Sequence, residues 1–181
     1  CLDWPEIWEV FDAHRLDGTN TQPAVAVPLD ERGFSLGAFK RVFDKRFVLV
    51  YSTGGTKAEN AWSLAKARFD AEQWWYRGNG RALIMSDAEF LTQSPRCNVI
   101  LYGHSGSLLA WKAALGDKPA VHIDRGLVVI GEKRVIGEDI GVLAVLPRSG
   151  MADFEVGLIG GSGLSGMRAT ERLGYFSSGV G

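Results

Sequence analysis

A serine flanked by glycines follows an apolar run in the middle of the chain. The run Asn98–Tyr102, rich in branched and aromatic residues, predicts a buried strand, and Gly103-His104-Ser105-Gly106-Ser107 comes directly after it. Hydrolases place a nucleophilic serine on a tight turn between a buried strand and a helix, with small residues on either side. Only Ser107 departs from the G-x-S-x-G pattern. The segment therefore predicts Ser105 as a candidate nucleophile.

A serine nucleophile needs a base and donors for an oxyanion. The chain has three histidines, which are His14, His104 and His122. In α/β-hydrolases the acid and the histidine follow the serine along the chain, so His122 is the base available to Ser105. The N–H groups of Gly106 and Gly54 are the expected oxyanion donors. The alternative is a structural turn whose Ser107 caps the next helix.

Two further glycine-rich turns also follow apolar runs. Ser52-Thr53-Gly54-Gly55 follows Phe47–Tyr51, and a G-x-G-x-x-G pattern, Gly161 to Gly166, follows the run 155–159. Backbone N–H groups at such turns bind anions, and the second pattern resembles a dinucleotide site. The expected anion or oxyanion donors are Gly54, Gly55, Gly106, Gly161 and Gly163. Close-packed structural turns are the alternative at both places.

The strands and helices predicted around these turns alternate regularly along the chain. Three strands, each followed by a turn and a helical pattern, predict parallel βα units, and short strands at about 120–136 predict an antiparallel hairpin. We therefore expect an α/β fold, a three-layer sandwich with a mainly parallel sheet, over residues 36–181. Residues 1–35 are interpreted as an irregular lead-in or as the end of a preceding domain, with a short edge strand at 24–27.

The longest predicted helix follows the first glycine turn. Thr56-Lys57-Ala58-Glu59 has the composition of a capping box, and a glycine is expected to end the helix near Gly78 or Gly80. The predicted apolar face consists of Ala58, Ala61, Trp62, Ala65 and Phe69. The carboxylates of Asp70 and Glu72 are expected to face solvent.

Composition excludes several functions. The chain has 181 residues, 46% hydrophobic and 23% charged, and a net charge of −1 without a basic run, which argues against a nucleic-acid surface. No apolar run approaches the roughly 20 residues of a membrane span. We expect no cofactor and no metal site. Cys1 and Cys97 are either paired or two free thiols, and a start at Cys1 suggests a fragment.

Several segments together resemble a known group of proteins. The segments are Phe47-Val48-Leu49-Val50-Tyr51, Lys66-Ala67-Arg68-Phe69-Asp70-Ala71-Glu72, Trp75-Tyr76-Arg77-Gly78-Asn79-Gly80, Asn98-Val99-Ile100-Leu101-Tyr102-Gly103, Gly163-Leu164-Ser165-Gly166-Met167-Arg168 and Tyr175-Phe176-Ser177-Ser178-Gly179. With them, residues 36–181 resemble the C-terminal region of large bacterial prolyl-oligopeptidase-like or esterase-like hydrolases, of the kind common in Planctomycetes and Bacteroidetes.

The resemblance implies a domain of a longer, exported chain whose catalytic triad lies upstream of this segment. In that family the turn after Tyr-Gly often carries Asn, whereas this chain has His104-Ser105, so no catalytic role transfers to Ser105. Three functions follow as hypotheses. The first is an accessory or interaction domain of a serine hydrolase, silent by itself and partnered by the rest of its chain. The second is a serine esterase or peptidase using Ser105 and His122 on a peptide or ester, and the third is anion or small-molecule binding at the glycine turns.

Overall fold

A computed structural model of the chain describes residues 39–175. The predicted lead-in, the strand at 24–27, His14 and Cys1 lie outside these residues. The strands are β1 (Phe47–Tyr51), β2 (Leu83–Ser86), β3 (Asn98–Tyr102), β4 (Val121–Asp124), β5 (Leu127–Ile130), β6 (Lys133–Ile136), β7 (Gly141–Pro147) and β8 (Glu155–Gly161). The helices are α1 (Lys57–Gly78), α2 (Asp87–Gln93), α3 (Trp111–Leu115) and α4 (Leu164–Ala169), with 3₁₀ turns at Lys40–Phe43 and Thr170–Arg172.

The main sheet has the strand order β2-β1-β3-β8-β7. β1, β2, β3 and β8 are parallel to one another, and β7 pairs antiparallel with β8 at one edge. The chain moves one way across the sheet from β1 to β2 and the other way from β2 to β3. Right-handed crossovers then put α1 and α2 on opposite faces. The α/β prediction with a mainly parallel sheet is confirmed.

Each face of the sheet has its own apolar core because successive strand residues point to opposite sides. Val48 and Val50 of β1 pack with α2, α3 and the small sheet, whereas Phe47 and Leu49 pack with α1 and α4. β1 is buried on both faces, as its unbroken apolar run predicts for a central parallel strand. The result is three layers, with the sheet in the middle.

A second sheet of three antiparallel strands, in the order β4-β5-β6, forms the predicted hairpin region. Ile123 of β4 is fully buried in the core beside α2 and α3. Its carbonyl accepts a hydrogen bond of 2.9 Å from the N–H of Ser105. The small sheet is therefore attached to the turn that follows β3.

Helix α1 begins with the predicted capping box, since Thr56 Oγ1 accepts from the Glu59 N–H and the Glu59 carboxylate accepts from the Thr56 N–H. It ends at Gly78, as predicted, and the left-handed residue that follows is Asn79, with φ 48°. The predicted apolar face is wrong in part. Ala58 and Ala61 are exposed, and the side turned inward carries polar as well as apolar groups: Glu59, Trp62, Ser63, Lys66, Ala67 and Asp70.

The helix after β3 is short, with five residues. α3 starts at Trp111, six residues after Ser105, and its N-cap Ala110 makes no side-chain cap. The interpretation of Ser107 as a helix cap is therefore wrong. Ser107 Oγ instead lies 3.0 Å from the N–H and 3.1 Å from the carbonyl oxygen of His104, so it stabilises the turn itself. The final helix begins at Leu164.

Candidate functional site

The glycine turns after β1, β3 and β8 are neighbours because these strands end at the same edge of the sheet. The N–H of Gly54, after β1, donates to the carbonyl of Ser107 at 2.9 Å. The N–H of Gly103, after β3, donates to the carbonyl of Ile159 in β8 at 3.0 Å. This edge is where open α/β sheets bind ligands, so we take it as the candidate site.

Asp87, the first residue of α2, links the turns after β1, β2 and β3. Its side chain is fully buried, and Oδ1 accepts from Thr53 Oγ1 at 2.5 Å. Oδ2 accepts from the N–H of Thr53 at 3.1 Å and from the N–H of Leu109 at 2.8 Å. Each of these donors is therefore already bound within the protein, and the carboxylate connects the three turns.

Glu59, His104 and Arg125 form a second polar network at this edge. The Nδ1 atom of His104 accepts from the N–H of Gly106 at 3.1 Å, which assigns the ring proton to Nε2. Nε2 lies 3.2 Å from Glu59 Oε1, and the other carboxylate oxygen accepts from Arg125 at 2.8 Å. Because both ring nitrogens are engaged and the ring is fully buried, His104 is held inside the protein.

Hydrogen bonds determine the charge state of Glu59. Burial by itself raises the pKa of a carboxyl group, but the hydrogen bonds from Thr56, His104 and Arg125 outweigh it and lower the pKa of Glu59 from 4.5 to about 2. The carboxylate is therefore ionised at neutral pH. Since Arg125 belongs to the β4–β5 turn, the ion pair joins α1, the turn after β3 and the small sheet.

The two residues of the predicted catalytic pair occupy different surroundings. Ser105 is partly exposed, and no side-chain hydrogen bond of Ser105 is found among residues 39–175. The ring of His122 packs edge-on against Trp111, with ring centroids 5.6 Å apart and planes at 88°. No hydrogen bond joins Ser105 to His122 within the described part of the chain. Their catalytic pairing stays a prediction.

Three of the predicted anion donors already have partners. The N–H of Gly54 is bound to Ser107, that of Gly106 to the His104 ring, and that of Gly55 to Asn60 Oδ1 at 3.0 Å. Asn60 also donates to the carbonyls of Thr53 and Gly55, so its amide fills the turn. An incoming anion would have to replace these internal acceptors.

The G-x-G-x-x-G glycines lie against other backbone segments. Gly161 ends β8 and faces Gly141 of β7, and a Cβ atom on it would lie 2.2 Å from the N of Met167. On Gly163 a Cβ would lie 2.8 Å from the carbonyl oxygen of Glu138. Such distances are far inside van der Waals contact, so these positions require glycine for packing alone. Their role toward an anion stays a prediction.

A buried ionic cluster lies further along α1. Lys66 Nζ lies 2.7 Å from Asp70 Oδ1, and the hydroxyls of Tyr102 and Tyr175 both donate to Asp70 Oδ2. Burial and the nearby carboxylate raise the pKa of both tyrosines well above 10, so both phenols keep their protons. The expectation of a solvated Asp70 is wrong, because it is 1% exposed and accepts from three side chains.

Sequence reasoning did not identify most members of these networks. Glu59 is recognised in the sequence only as part of a capping box. The one usable signal was spacing: Glu59, Ser63, Lys66 and Asp70 recur every three or four residues, which is the period of one helix face. Nothing near Arg125 in the sequence indicates that it reaches Glu59, since the two are brought together by tertiary packing.

Comparisons of this chain with protein-family models, with curated proteins and with solved structures find no match. Within residues 39–175, no group of three or more His, Cys, Asp or Glu side chains is suited to hold a metal ion. In the same residues, no helix combines the length and apolar character needed to cross a membrane. Cys97 is a buried, free thiol.

Proposed function

We propose that this chain is an accessory domain of a larger bacterial serine hydrolase and that it has no hydrolytic activity by itself. The resemblance of residues 36–181 to the C-terminal region of such hydrolases suggests the parent protein. The internal bonding of the candidate site supports the lack of activity. The partner of the domain is then the rest of its own chain.

One observation carries the proposal. The N–H groups of Gly54 and Gly106, the expected oxyanion donors, donate to Ser107 and to His104 instead. An oxyanion hole works because its donors are free and already aimed at the place where negative charge develops. Donors that are bound to internal acceptors do not meet this condition.

The position of Ser105 supports the same conclusion. A nucleophile elbow places its serine at the start of a helix, whereas α3 starts six positions after Ser105. His104, the histidine next to it in sequence, has both ring nitrogens engaged, one by Gly106 and one by Glu59. A serine without a free base remains a weak nucleophile.

A fluorophosphonate probe tests this proposal directly. We expect the purified, folded chain and its Ser105→Ala variant to show no adduct by intact mass, under conditions in which a known serine hydrolase is labelled completely. A single adduct on the wild type that is absent from the variant would overturn the proposal.

That outcome would support the second candidate, a serine esterase or peptidase using Ser105. The observation in its favour is that Ser105 is partly exposed and its hydroxyl makes no hydrogen bond with residues 39–175. The His122→Ala variant would then be treated with the same probe. Loss of the adduct in this variant would identify His122 as the base.

A further inference from the structure

A cavity of about 200 Å³ lies at the amino ends of the parallel strands, whereas the glycine turns lie at their carboxyl ends. Its lining comes from α2 and the residues after it, from α3, and from the segment after β7, whose last residue Pro147 pairs with the first residue of β8. Phe90 and Arg148 are the buried members of the lining, and the others are partly or largely exposed. The cavity therefore opens to solvent and has room for a small organic molecule.

Arg148 is a buried cation without a counter-ion. It is 4% exposed, and its NH1 donates to the carbonyls of Pro95 at 2.5 Å and Cys97 at 2.6 Å. Among the residues that the structure describes, its Nε and NH2 atoms have no hydrogen-bond partner and no carboxylate pairs with it. Neither atom is fully enclosed, so both are reached by solvent. Buried arginines are normally paired, so this guanidinium has unused donors and an uncompensated charge.

The guanidinium is fixed in place. Two backbone carbonyls hold NH1, and the Arg148 Cζ atom lies 5.2 Å from the centroid of the Phe90 ring, in a cation–π arrangement. Because the group is a rigid planar fork, fixing one nitrogen also fixes the directions of the remaining donors. Burial lowers the pKa of Arg148, as expected for a cation that lacks an anionic partner.

We propose that this cavity binds a small carboxylate with an apolar side chain. The carboxylate would accept two hydrogen bonds from Nε and NH2 of Arg148, the geometry that arginine favours for this anion. Ser94 and Ser149 line the same cavity, and Leu91 and Met151 provide apolar surface for the side chain. The volume suits one residue, either a free acid or the last residue of a peptide. This site does not depend on the proposed accessory function.

Titration with isovalerate tests the proposal, with isovaleramide as its uncharged isostere. We expect isovalerate to raise the thermal midpoint saturably and to shift the amide signals of Ser94, Ser149 and Gly150, because a ligand that binds the folded state stabilises it. Isovaleramide should do neither. Equal effects of the two compounds, or no saturable effect of isovalerate, would overturn the proposal.

Two peptides then distinguish the sources of the carboxylate. A short peptide that ends in leucine is compared with the same peptide carrying a C-terminal amide. Tighter binding of the acid than of isovalerate identifies a chain end as the ligand, whereas binding of isovalerate alone identifies a free acid. Binding of the amide as tightly as the acid would contradict a site built around Arg148.

Variants connect the effect to Arg148. Arg148→Gln should abolish isovalerate binding, but it also removes two bonds to backbone carbonyls and so lowers the stability of the fold. Ser149→Asp, at an exposed position of the rim, adds a negative charge and should weaken isovalerate binding about tenfold by repulsion. Ala61→Asp, at an exposed position of α1, is the matched control and should bind as the wild type does. Wild-type affinity in Ser149→Asp would count against the site.

Discussion

Lys66 and Arg148 are two buried cations, each 4% exposed, in very different surroundings. Lys66 lies 2.7 Å from the Asp70 carboxylate and next to the rings of Phe69 and Tyr175. Arg148 contacts backbone carbonyls and the ring of Phe90, and no carboxylate accompanies it within residues 39–175. A buried charge without a partner lowers the stability of a fold. A bound anion would therefore offset a larger cost at Arg148 than at Lys66.

The two ends of the parallel strands show the same contrast. At the carboxyl ends of the parallel strands, Asp87 accepts hydrogen bonds from the turns after β1 and β3. Glu59 is bonded to His104, which also accepts from Gly106. At the amino ends, a cavity of about 200 Å³ is lined in part by Arg148, whose Nε and NH2 atoms have no hydrogen-bond partner within residues 39–175. Open α/β sheets usually bind ligands at the carboxyl ends. In this chain the physical conditions for binding an anion are better met at the other edge.

The largest loss of unfolding free energy is expected when a side chain is added to a closely packed glycine at the carboxyl ends of the strands. A Cβ atom on Gly160 would lie 2.0 Å from the carbonyl oxygen of Gly103, so Gly160→Ala should cost about 4 kcal/mol or more in unfolding free energy. On Gly106 the nearest atoms would lie at 3.4 Å, so Gly106→Ala should cost no more than about 1 kcal/mol. Denaturant unfolding measures both. Equal costs would mean that this edge is not closely packed.

The second prediction compares the two buried cations. Asp70→Asn leaves the charge of Lys66 without its partner and should lower the unfolding free energy by about 3 kcal/mol. Arg148→Met removes the cation together with its hydrogen bonds and should cost only about 1 to 2 kcal/mol. Urea unfolding of both variants provides the comparison. A larger cost for Arg148→Met would show that Arg148 serves the fold more than a ligand.

The third prediction concerns the pH dependence of stability. The pKa of Glu59 is about 2 in the folded chain and 4.5 ordinarily, so its carboxylate stabilises the fold fully above pH 4.5 and loses this effect as the pH falls toward 2. Glu59→Gln lacks this contribution, which is about 3 kcal/mol near neutral pH. The difference in unfolding free energy between wild type and variant should therefore shrink as the pH falls from 4.5 to 2.

Glu72→Gln is the control for this titration because Glu72 is an exposed carboxylate on the same helix. Its unfolding free energy should follow the wild-type curve at every pH. If the unfolding free energy of Glu59→Gln also changes with pH in parallel with that of the wild type, the network of Glu59, His104 and Arg125 does not hold the carboxylate ionised.

The smallest effect is expected from Ser105→Ala. Ser105 is partly exposed and its hydroxyl makes no hydrogen bond in the described part of the chain, so the unfolding free energy should change by about 0.5 kcal/mol or less. A loss above about 1 kcal/mol would reveal a structural role for the hydroxyl. Thermal unfolding of the same samples used for probe labelling measures this.

Local patterns predicted the elements of the fold well. Unbroken apolar runs marked β1 and β3, and a capping box marked the start of α1, because burial on both faces and N-terminal capping leave signatures within a few residues. Strand order left no such signature. It depends on which crossovers pack best, and this is decided by contacts distant in sequence.

The candidate sites were harder to predict for the same reason. The charged residues Glu59, Lys66 and Asp70 look like a solvated helix face, and only tertiary packing buries them beside His104 and Tyr102. Arg148 follows a proline at the end of β7 and belongs to no motif. What makes it notable is the absence of a partner in space, and a linear pattern does not contain that information.

The most direct test of the account maps ligand binding on both edges of the sheet at once. Amide spectra of the ¹⁵N-labelled chain are recorded during titration with isovalerate and, separately, with inorganic phosphate. We expect isovalerate to shift the signals of Ser94, Ser149 and Gly150, and neither anion to shift those of Gly54, Gly55 and Gly106. Saturable shifts confined to these three glycines would contradict the account and return the functional site to the carboxyl ends of the strands.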